Sequence, residues 1–136
     1  MDQKEWIRRF KEAPDTLDTV RLEITSNKVC SVFRRNIAIV AMEELAELQQ
    51  AISKMQRVSD DLYSYEVDTD KQEKLRLNLI EEMGDVIFQI SVIMKLFNIS
   101  EEELFKSINL RVEHSDELCE KRKESYMKLF IGSERI

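Results

Sequence analysis

Hydrophobic residues recur along this chain at spacings of three and four, which is the period of an amphipathic α-helix. Two long segments carry the pattern, residues 28–58 and 71–97. The first stripe contains Ile37, Ala41, Glu44, Leu48, Ile52 and Met55, and the second contains Leu75, Leu79, Glu82, Val86, Ile90, Ile93 and Phe97. At about 100° per residue, each set falls on one side of its helix. The pattern therefore predicts two long helices, each with one buried stripe.

Local signals predict two further helices. One covers residues 2–12 and ends before Pro14, and the other runs from residue 101 to about 128. Ser100 and Glu103 have the spacing of a capping box, which marks the start of the last helix. Residues 13–27 are expected to form a turn and a short helix.

Composition agrees with an all-α fold, because two Gly and one Pro provide little turn chemistry for a β fold. We predict a bundle of about four helices that forms one domain over residues 1–136. A single polar break, residues 59–70, joins the two long helices, so they should be antiparallel neighbours. The helix predicted over residues 71–97 is apolar around much of its circumference. This predicts burial on two sides and hence a homodimer or a dimer of dimers.

The net charge and the length of the apolar runs limit the classes of partner that this chain is expected to bind. The formal net charge is −6, which argues against binding of a nucleic-acid polymer. No apolar run approaches the roughly 20 residues of a membrane span, and the polar start lacks a signal core. Cys30 and Cys119 have no CxxC partner, which favours reduced thiols. These features predict a cytoplasmic protein without a membrane partner.

Acidic residues interrupt both apolar stripes. Glu44 and Glu82 lie in the middle of their stripes, while Glu47 and Asp85 lie on one flank and Glu43 lies further round. Burial of ionised carboxylates is costly unless a positive charge compensates it. Lysines or arginines from another helix are one source of that charge, and a divalent cation is the other. Hard oxygen ligands suit Mg²⁺ or Mn²⁺.

Other metals fit less well. Zinc is disfavoured because no Cys or His joins the acids. A di-iron bundle needs two Glu-x-x-His motifs, and the chain has the single histidine His114, with Arg111 three residues before it.

The two acidic motifs, Glu43-Glu44-Leu45-Ala46-Glu47 and Glu82-Met83-Gly84-Asp85, resemble those of the MazG-type all-α nucleoside triphosphate pyrophosphohydrolases. The resemblance covers residues 30–115. It implies Mg²⁺-dependent hydrolysis of a nucleoside triphosphate to the monophosphate and pyrophosphate, with housecleaning of non-standard nucleotides as one role. It also implies a metal held by the four acids Glu44, Glu47, Glu82 and Asp85. Glu43 is implied as the group that orients or deprotonates the attacking water, and Asn109 and Arg111 as substrate-binding groups.

Two other function classes stay open from the sequence. A non-catalytic helical module for binding or regulation keeps the fold without turnover. A different metal-dependent nucleotide phosphohydrolase, such as a diphosphatase or monophosphatase, uses the same acids on another bond. Metal binding separates the first from an enzyme, and product analysis separates the second.

Overall fold

Every element of secondary structure in the described residues is helical. The computed structural model describes the backbone of residues 1–61 and 69–134, with side chains outside 35, 59–61, 69 and 130–134. Five α-helices and one 3₁₀ turn follow in order: α1 (Gln3–Glu12), α2 (Thr19–Phe33), the turn Arg34–Asn36, α3 (Ile37–Asp61), α4 (Thr69–Leu96) and α5 (Glu101–Glu134). The all-α prediction is confirmed. The centre of the predicted polar break, residues 62–68, lies outside the described residues.

Helix starts follow the capping chemistry of the sequence. The Asp2 carboxylate accepts a hydrogen bond from the Glu5 N–H at 2.8 Å at the start of α1. At the start of α5 the Glu103 N–H donates to Ser100 Oγ and the Ser100 N–H donates to the Glu103 carboxylate, both at 3.1 Å. The predicted capping box is therefore confirmed. The hydrogen bond from the Ser100 N–H, followed by one from the Ser100 side chain, lowers the pKa of the Glu103 carboxyl, because both favour its charged form.

The predicted continuous helix from residue 28 to 58 is wrong. The chain turns at Arg34, whose φ of 28° ends α2, and α3 begins three residues later. Both α2 and α3 pack against α4. Placed end to end, α2 and α3 would measure roughly 60 Å, whereas α4 measures roughly 42 Å. The turn shortens the span that α2 and α3 cover together, although no Gly or Pro marks the position.

The N-terminal half of α2 was expected to be a turn and a short helix. Asp18 caps it by accepting a hydrogen bond from the Arg21 N–H at 3.0 Å. Lys95 of α4 forms an ion pair with Glu23 of α2. Contact with α4 therefore stabilises a full helix where the local pattern indicated only a short one.

Among the described elements, α3 and α4 form the most extensive contact, and its buried or half-buried positions repeat every 3.5 residues. We call this set the seam: Ile37, Ala41, Glu44, Leu48, Ala51, Met55 and Val58 on α3, and Leu75, Leu79, Glu82, Val86, Gln89, Ile93 and Leu96 on α4. The sequence pattern had placed Ile52, Ile90 and Phe97 in these stripes, yet they are 49%, 40% and 67% exposed. Long helices that pack side by side follow a period of 3.5, which drifts about 20° per heptad from a straight helix. At three positions the seam instead contains the preceding residue, Ala51, Gln89 or Leu96, whereas Met55 and Ile93 lie where the pattern predicted them.

The two long helices are antiparallel, as predicted. Ala38 at the start of α3 lines the same depression as Leu96 at the end of α4, while Glu47 meets Glu82 further along. In an antiparallel helix pair, the residues that directly follow the seam positions lie on the same side of the pair in both helices. The residues just before the seam positions form one side and those just after form the other.

These two sides differ in composition. The acidic side carries Glu43, Glu47, Gln50, Lys54 and Arg57 on α3, and Glu81, Asp85, Phe88, Val92 and Lys95 on α4. The apolar side carries Met42, Leu45 and Ile52 on α3, and Met83, Ile87, Ile90 and Phe97 on α4, all of them exposed. The ion pair between Glu23 and Lys95 places α2 over part of the acidic side, and Val92 there is fully buried.

The chain separates into two compact units, residues 1–98 and 99–136. The second unit is the long helix α5, whose side chains are mostly exposed where they are described. The single domain predicted over residues 1–136 stays a prediction. Among the described helices, none combines the length and apolar character needed to cross a membrane.

The seam predicts that the same substitution at two alanines of α3 will change the free energy of unfolding by different amounts. Ala51 is 2% exposed, so Ala51→Leu should overpack the seam and lower the free energy of unfolding by about 1–3 kcal/mol. Ala46 is exposed on the same helix, and Ala46→Leu should change stability by less than about 0.5 kcal/mol. Urea unfolding in the presence of EDTA measures both. Equal effects of the two substitutions would contradict the seam.

Candidate metal centre

The candidate metal centre lies halfway along the seam. Glu44 and Glu82 occupy seam positions that apolar residues fill elsewhere, and Glu47 lies beside them on the acidic side. The local sequence forms helix here because the neighbouring residues are good helix formers and satisfy their own backbone hydrogen bonds. The helices therefore hold three carboxylates at fixed positions without any contribution from a loop.

One carboxylate oxygen from each of Glu44, Glu47 and Glu82 lies within 4.8 Å of the other two. The sequence predicts convergence of four acids, and three of them, Glu44, Glu47 and Glu82, form this group, while their role as metal ligands stays a prediction. Glu44 Oε2 and Glu82 Oε2 are buried and have no hydrogen-bond partner among the described residues. Buried acceptors are normally satisfied, so two orphaned oxygens in one cluster require an explanation.

Ion pairing was the alternative explanation for these acids. In the part of the chain that the structure describes, none of the ion pairs involves the acids of either motif. Basic side chains therefore do not compensate the cluster there. A cation bound between the carboxylates would compensate the cluster, and protonation of Glu82 would lower its charge when no cation is bound.

Crowding of like charges is visible in the pKa values. Burial raises the pKa of the Glu82 carboxyl to about 7, and the charges of Glu47, Asp85 and Glu81 raise it further. Burial also raises the pKa of Glu44, followed by the charges of Asp85, Glu47 and Glu43. Both carboxyls thus lose charge readily when no cation is present.

A divalent cation fits this donor set. Carboxylate oxygens are the ligands that Mg²⁺ and Mn²⁺ prefer, and the two orphaned oxygens are acceptors that a cation satisfies. No Cys or His belongs to the cluster, which disfavours zinc. The acidic group is therefore able to hold a divalent metal.

The remaining acids of the two motifs lie outside the group of three. Asp85 is exposed on the acidic side. Partial burial of its carboxyl is the largest cause of its raised pKa, and the charge of Glu47 is the second. Glu43 is exposed, and its charge is the smallest contribution to the raised pKa of Glu44. The predicted metal-binding role of Asp85 and the catalytic role of Glu43 stay predictions.

Asn109 and Arg111 are the predicted substrate-binding residues. Both lie on α5, where their side chains are exposed. Because α5 belongs to the second compact unit, their role towards a substrate stays a prediction.

Glu81 lies on the acidic side beside the group of three, and the sequence analysis did not single it out. It is half-buried. Burial raises its pKa, the charges of Asp85 and Glu47 add to the increase, and the charge of the N-terminal amino group opposes it.

Comparison with known proteins gives one match. Residues 23–112 match the family model described as phosphoribosyl-ATP pyrophosphohydrolase, which covers both acidic motifs. No curated protein and no solved structure matches the chain. The match supports membership of an all-α, MazG-like superfamily of nucleotide pyrophosphohydrolases. The family is typically dependent on a divalent metal.

The raised pKa values predict how the metal-free protein responds to pH. Between the ordinary pKa of 4.5 and about 7, folded Glu82 holds a proton that the unfolded chain releases. The stability of the metal-free protein should therefore fall as pH rises through this window, and Glu44 acts in the same direction. Thermal unfolding in EDTA between pH 5 and 7.5 measures the fall.

Glu82→Gln is the variant that tests the cause. It should remove much of the pH dependence and stabilise the metal-free protein at pH 7.5 by about 1 kcal/mol after solvent screening. Addition of Mg²⁺ should stabilise the wild type more than this variant, because a metal binds the deprotonated carboxylates. A melting temperature that rises with pH in the metal-free wild type would contradict the crowded cluster.

Proposed function

Because the chain belongs to the phosphoribosyl-ATP pyrophosphohydrolase family, we propose that it is a Mg²⁺-dependent nucleoside triphosphate pyrophosphohydrolase. The family match supports a pyrophosphohydrolase that acts on nucleotides. The proposal is narrower: water and a nucleoside or deoxynucleoside triphosphate give the monophosphate and pyrophosphate. Housecleaning of non-standard nucleotides is one role that suits this reaction.

The observation that carries the proposal is the group of three converging carboxylates, two of which have orphaned buried oxygens. Glu44, Glu47 and Glu82 would hold the metal, and Asp85 would complete the set from the acidic side. When bound, Mg²⁺ neutralises phosphate charge and lowers the pKa of a coordinated water. Mn²⁺ is a suitable substitute, because it takes the same oxygen ligands.

The chain's own residues would position the reaction. Glu43 is exposed one residue before the metal ligand Glu44, where its carboxylate is free to accept a proton from the attacking water. The water oxygen would form a bond to the α-phosphorus, and the bond from that phosphorus to the bridging oxygen would break. Pyrophosphate then leaves. Asn109 and Arg111 would hold the substrate, with the Arg111 guanidinium on a phosphate oxygen.

Hydrolysis of phosphoribosyl-ATP itself is a second candidate, favoured by the description of the matching family. The same bond breaks in both reactions, so the acids serve either substrate. A non-catalytic module with this fold stays the alternative from another class.

We also propose that the protein is a homodimer or a dimer of dimers. The apolar side presents exposed Met, Leu, Ile and Phe side chains from both helices of the α3–α4 pair. Contiguous apolar surface of this kind is characteristic of interaction sites. A second copy that covers this side would lie next to the seam that holds the acids.

Product analysis tests the reaction. The wild type with Mg²⁺ should convert triphosphates to monophosphate and pyrophosphate, and Asp85→Asn should lower kcat by at least about 100-fold, the scale of losing one electrostatic group. Glu73→Gln on the same helix, in an exposed ion pair with Arg76, should retain activity. Ion-exchange chromatography of a panel that includes phosphoribosyl-ATP separates the products. Release of orthophosphate would assign a different bond, and a complete lack of turnover would favour the non-catalytic module.

Light scattering tests the self-association. Ile87 is 60% exposed on the apolar side, and Ile87→Glu should convert the oligomer to a monomer, because burial of an unpaired charge is costly. Ile24 is 62% exposed on α2, and Ile24→Glu should leave the mass unchanged. A wild type that is monomeric at micromolar concentration would refute the oligomer.

A further inference from the structure

The acidic side of α3 changes its charge along the helix. Glu43 and Glu47 are followed on the same stripe by Gln50, Lys54 and Arg57, at steps of three and four residues. Each step is about one helical turn, so Lys54 lies roughly 10 Å and Arg57 roughly 15 Å beyond Glu47 along the axis. One side of the helix therefore runs from negative through neutral to positive.

A depression of ≈510 Å³ borders this stripe, lined by Ala46, Gln49, Gln50, Ser53, Lys54 and Arg57. Gln50, Lys54 and Arg57 belong to the stripe, whereas the other three residues lie further round α3, on its outer face. All six residues are exposed, and none of the acids belongs to the lining. The depression therefore lies beside the cationic end of the stripe, and the stripe itself connects the two cations with the acids.

The two cations of the depression are available to a ligand. Neither Lys54 nor Arg57 forms an ion pair with another described residue. In an α-helix the Cα–Cβ bonds tilt towards the N-terminus, so both side chains lean back towards Glu47. A guanidinium and an ammonium that flank one depression are suited to phosphate oxygens.

We infer that Lys54 and Arg57 form a phosphate-binding subsite, with Gln50 as an additional donor, at the end of the active site remote from the metal-binding acids. The inference rests on the proposed function, because it takes the acidic group as the place of the metal-bound phosphates. Two sources can supply the phosphate: the terminal phosphates of the triphosphate chain, or a second phosphate carried at the base end of the nucleotide. Both share the chemistry of a phosphate monoester or anhydride oxygen.

Equilibrium binding tests the subsite without turnover. The probes, each with Mg²⁺, are inorganic triphosphate, an ATP analogue with a methylene group between the α- and β-phosphates, and the same analogue with a phosphoribosyl group on the base. Lys54→Gln and Arg57→Gln should each raise the Kd of at least one probe about tenfold, the usual loss for a charge-assisted hydrogen bond. Lys28→Gln, an exposed lysine on α2, is the matched control and should bind as the wild type does.

The pattern of losses identifies the source of the phosphate. Weaker binding of inorganic triphosphate and of the plain analogue assigns the subsite to the terminal phosphates. Weaker binding of the phosphoribosyl analogue alone assigns it to a second phosphate. Lys54→Arg should retain much of the affinity, and stabilisation by Mg²⁺ alone should be unchanged in all variants, because none of them alters the acids.

Wild-type affinity of both glutamine variants for all three probes would overturn the subsite. A protein that binds the probes through Lys54 and Arg57 but hydrolyses no triphosphate would instead refute the proposed function and leave the subsite in place. Hydrolysis of triphosphates by the wild type, together with unchanged binding of the probes in both variants, would support the proposed function and refute the subsite.

Discussion

Repulsion between carboxylates in the α3–α4 seam is the constraint on which the rest of the site depends. Two glutamates occupy positions that a helix pair normally fills with apolar residues, and a third carboxylate approaches within 4.8 Å. Hydrophobic packing above and below forces this approach, because the two helices share a long heptad seam. The cost is visible in the pKa of Glu82, which burial and neighbouring charges raise to about 7. A bound cation relieves the repulsion and satisfies the two orphaned oxygens, so the arrangement that destabilises the metal-free protein is the one that suits a metal.

The antiparallel pair assigns different tasks to its two sides. On the acidic side, Glu47 and Asp85 are accessible next to the seam acids, and α2 covers another part of the same side through its contact with α4. The opposite side is exposed and apolar along both helices. Substrate chemistry and self-association therefore use different surfaces of one helix pair in our proposal. The residues that match the nucleotide pyrophosphohydrolase family, 23–112, contain both helices of the pair.

Sequence reasoning identified the convergent acids but misjudged their surroundings. Glu44 and Glu82 stood out because their neighbours one turn away are apolar, which is a local signal. Glu81 gave no such signal by itself, because a second glutamate beside Glu82 looks like a solvated residue until its burial is known. The error at Ile52 had a different cause. The predicted stripes took the larger apolar residue at positions 52 and 90, whereas the helix pair buries the small Ala51 and half-buries the polar Gln89 in the seam.

The amino-acid sequence by itself determined the helical class, the caps at Asp2 and Ser100, and the acids of the candidate metal centre, because each depends on residues within one or two turns. Only the tertiary structure decided the turn at Arg34, the full length of α2 and the burial of Glu81. These features arise because α2 and α3 both pack against α4, and such a contact joins residues far apart in the chain. Local propensity carries no information about that partner. The shared partner bends the chain where no glycine or proline requires it, and it fixes which carboxylates lose their water.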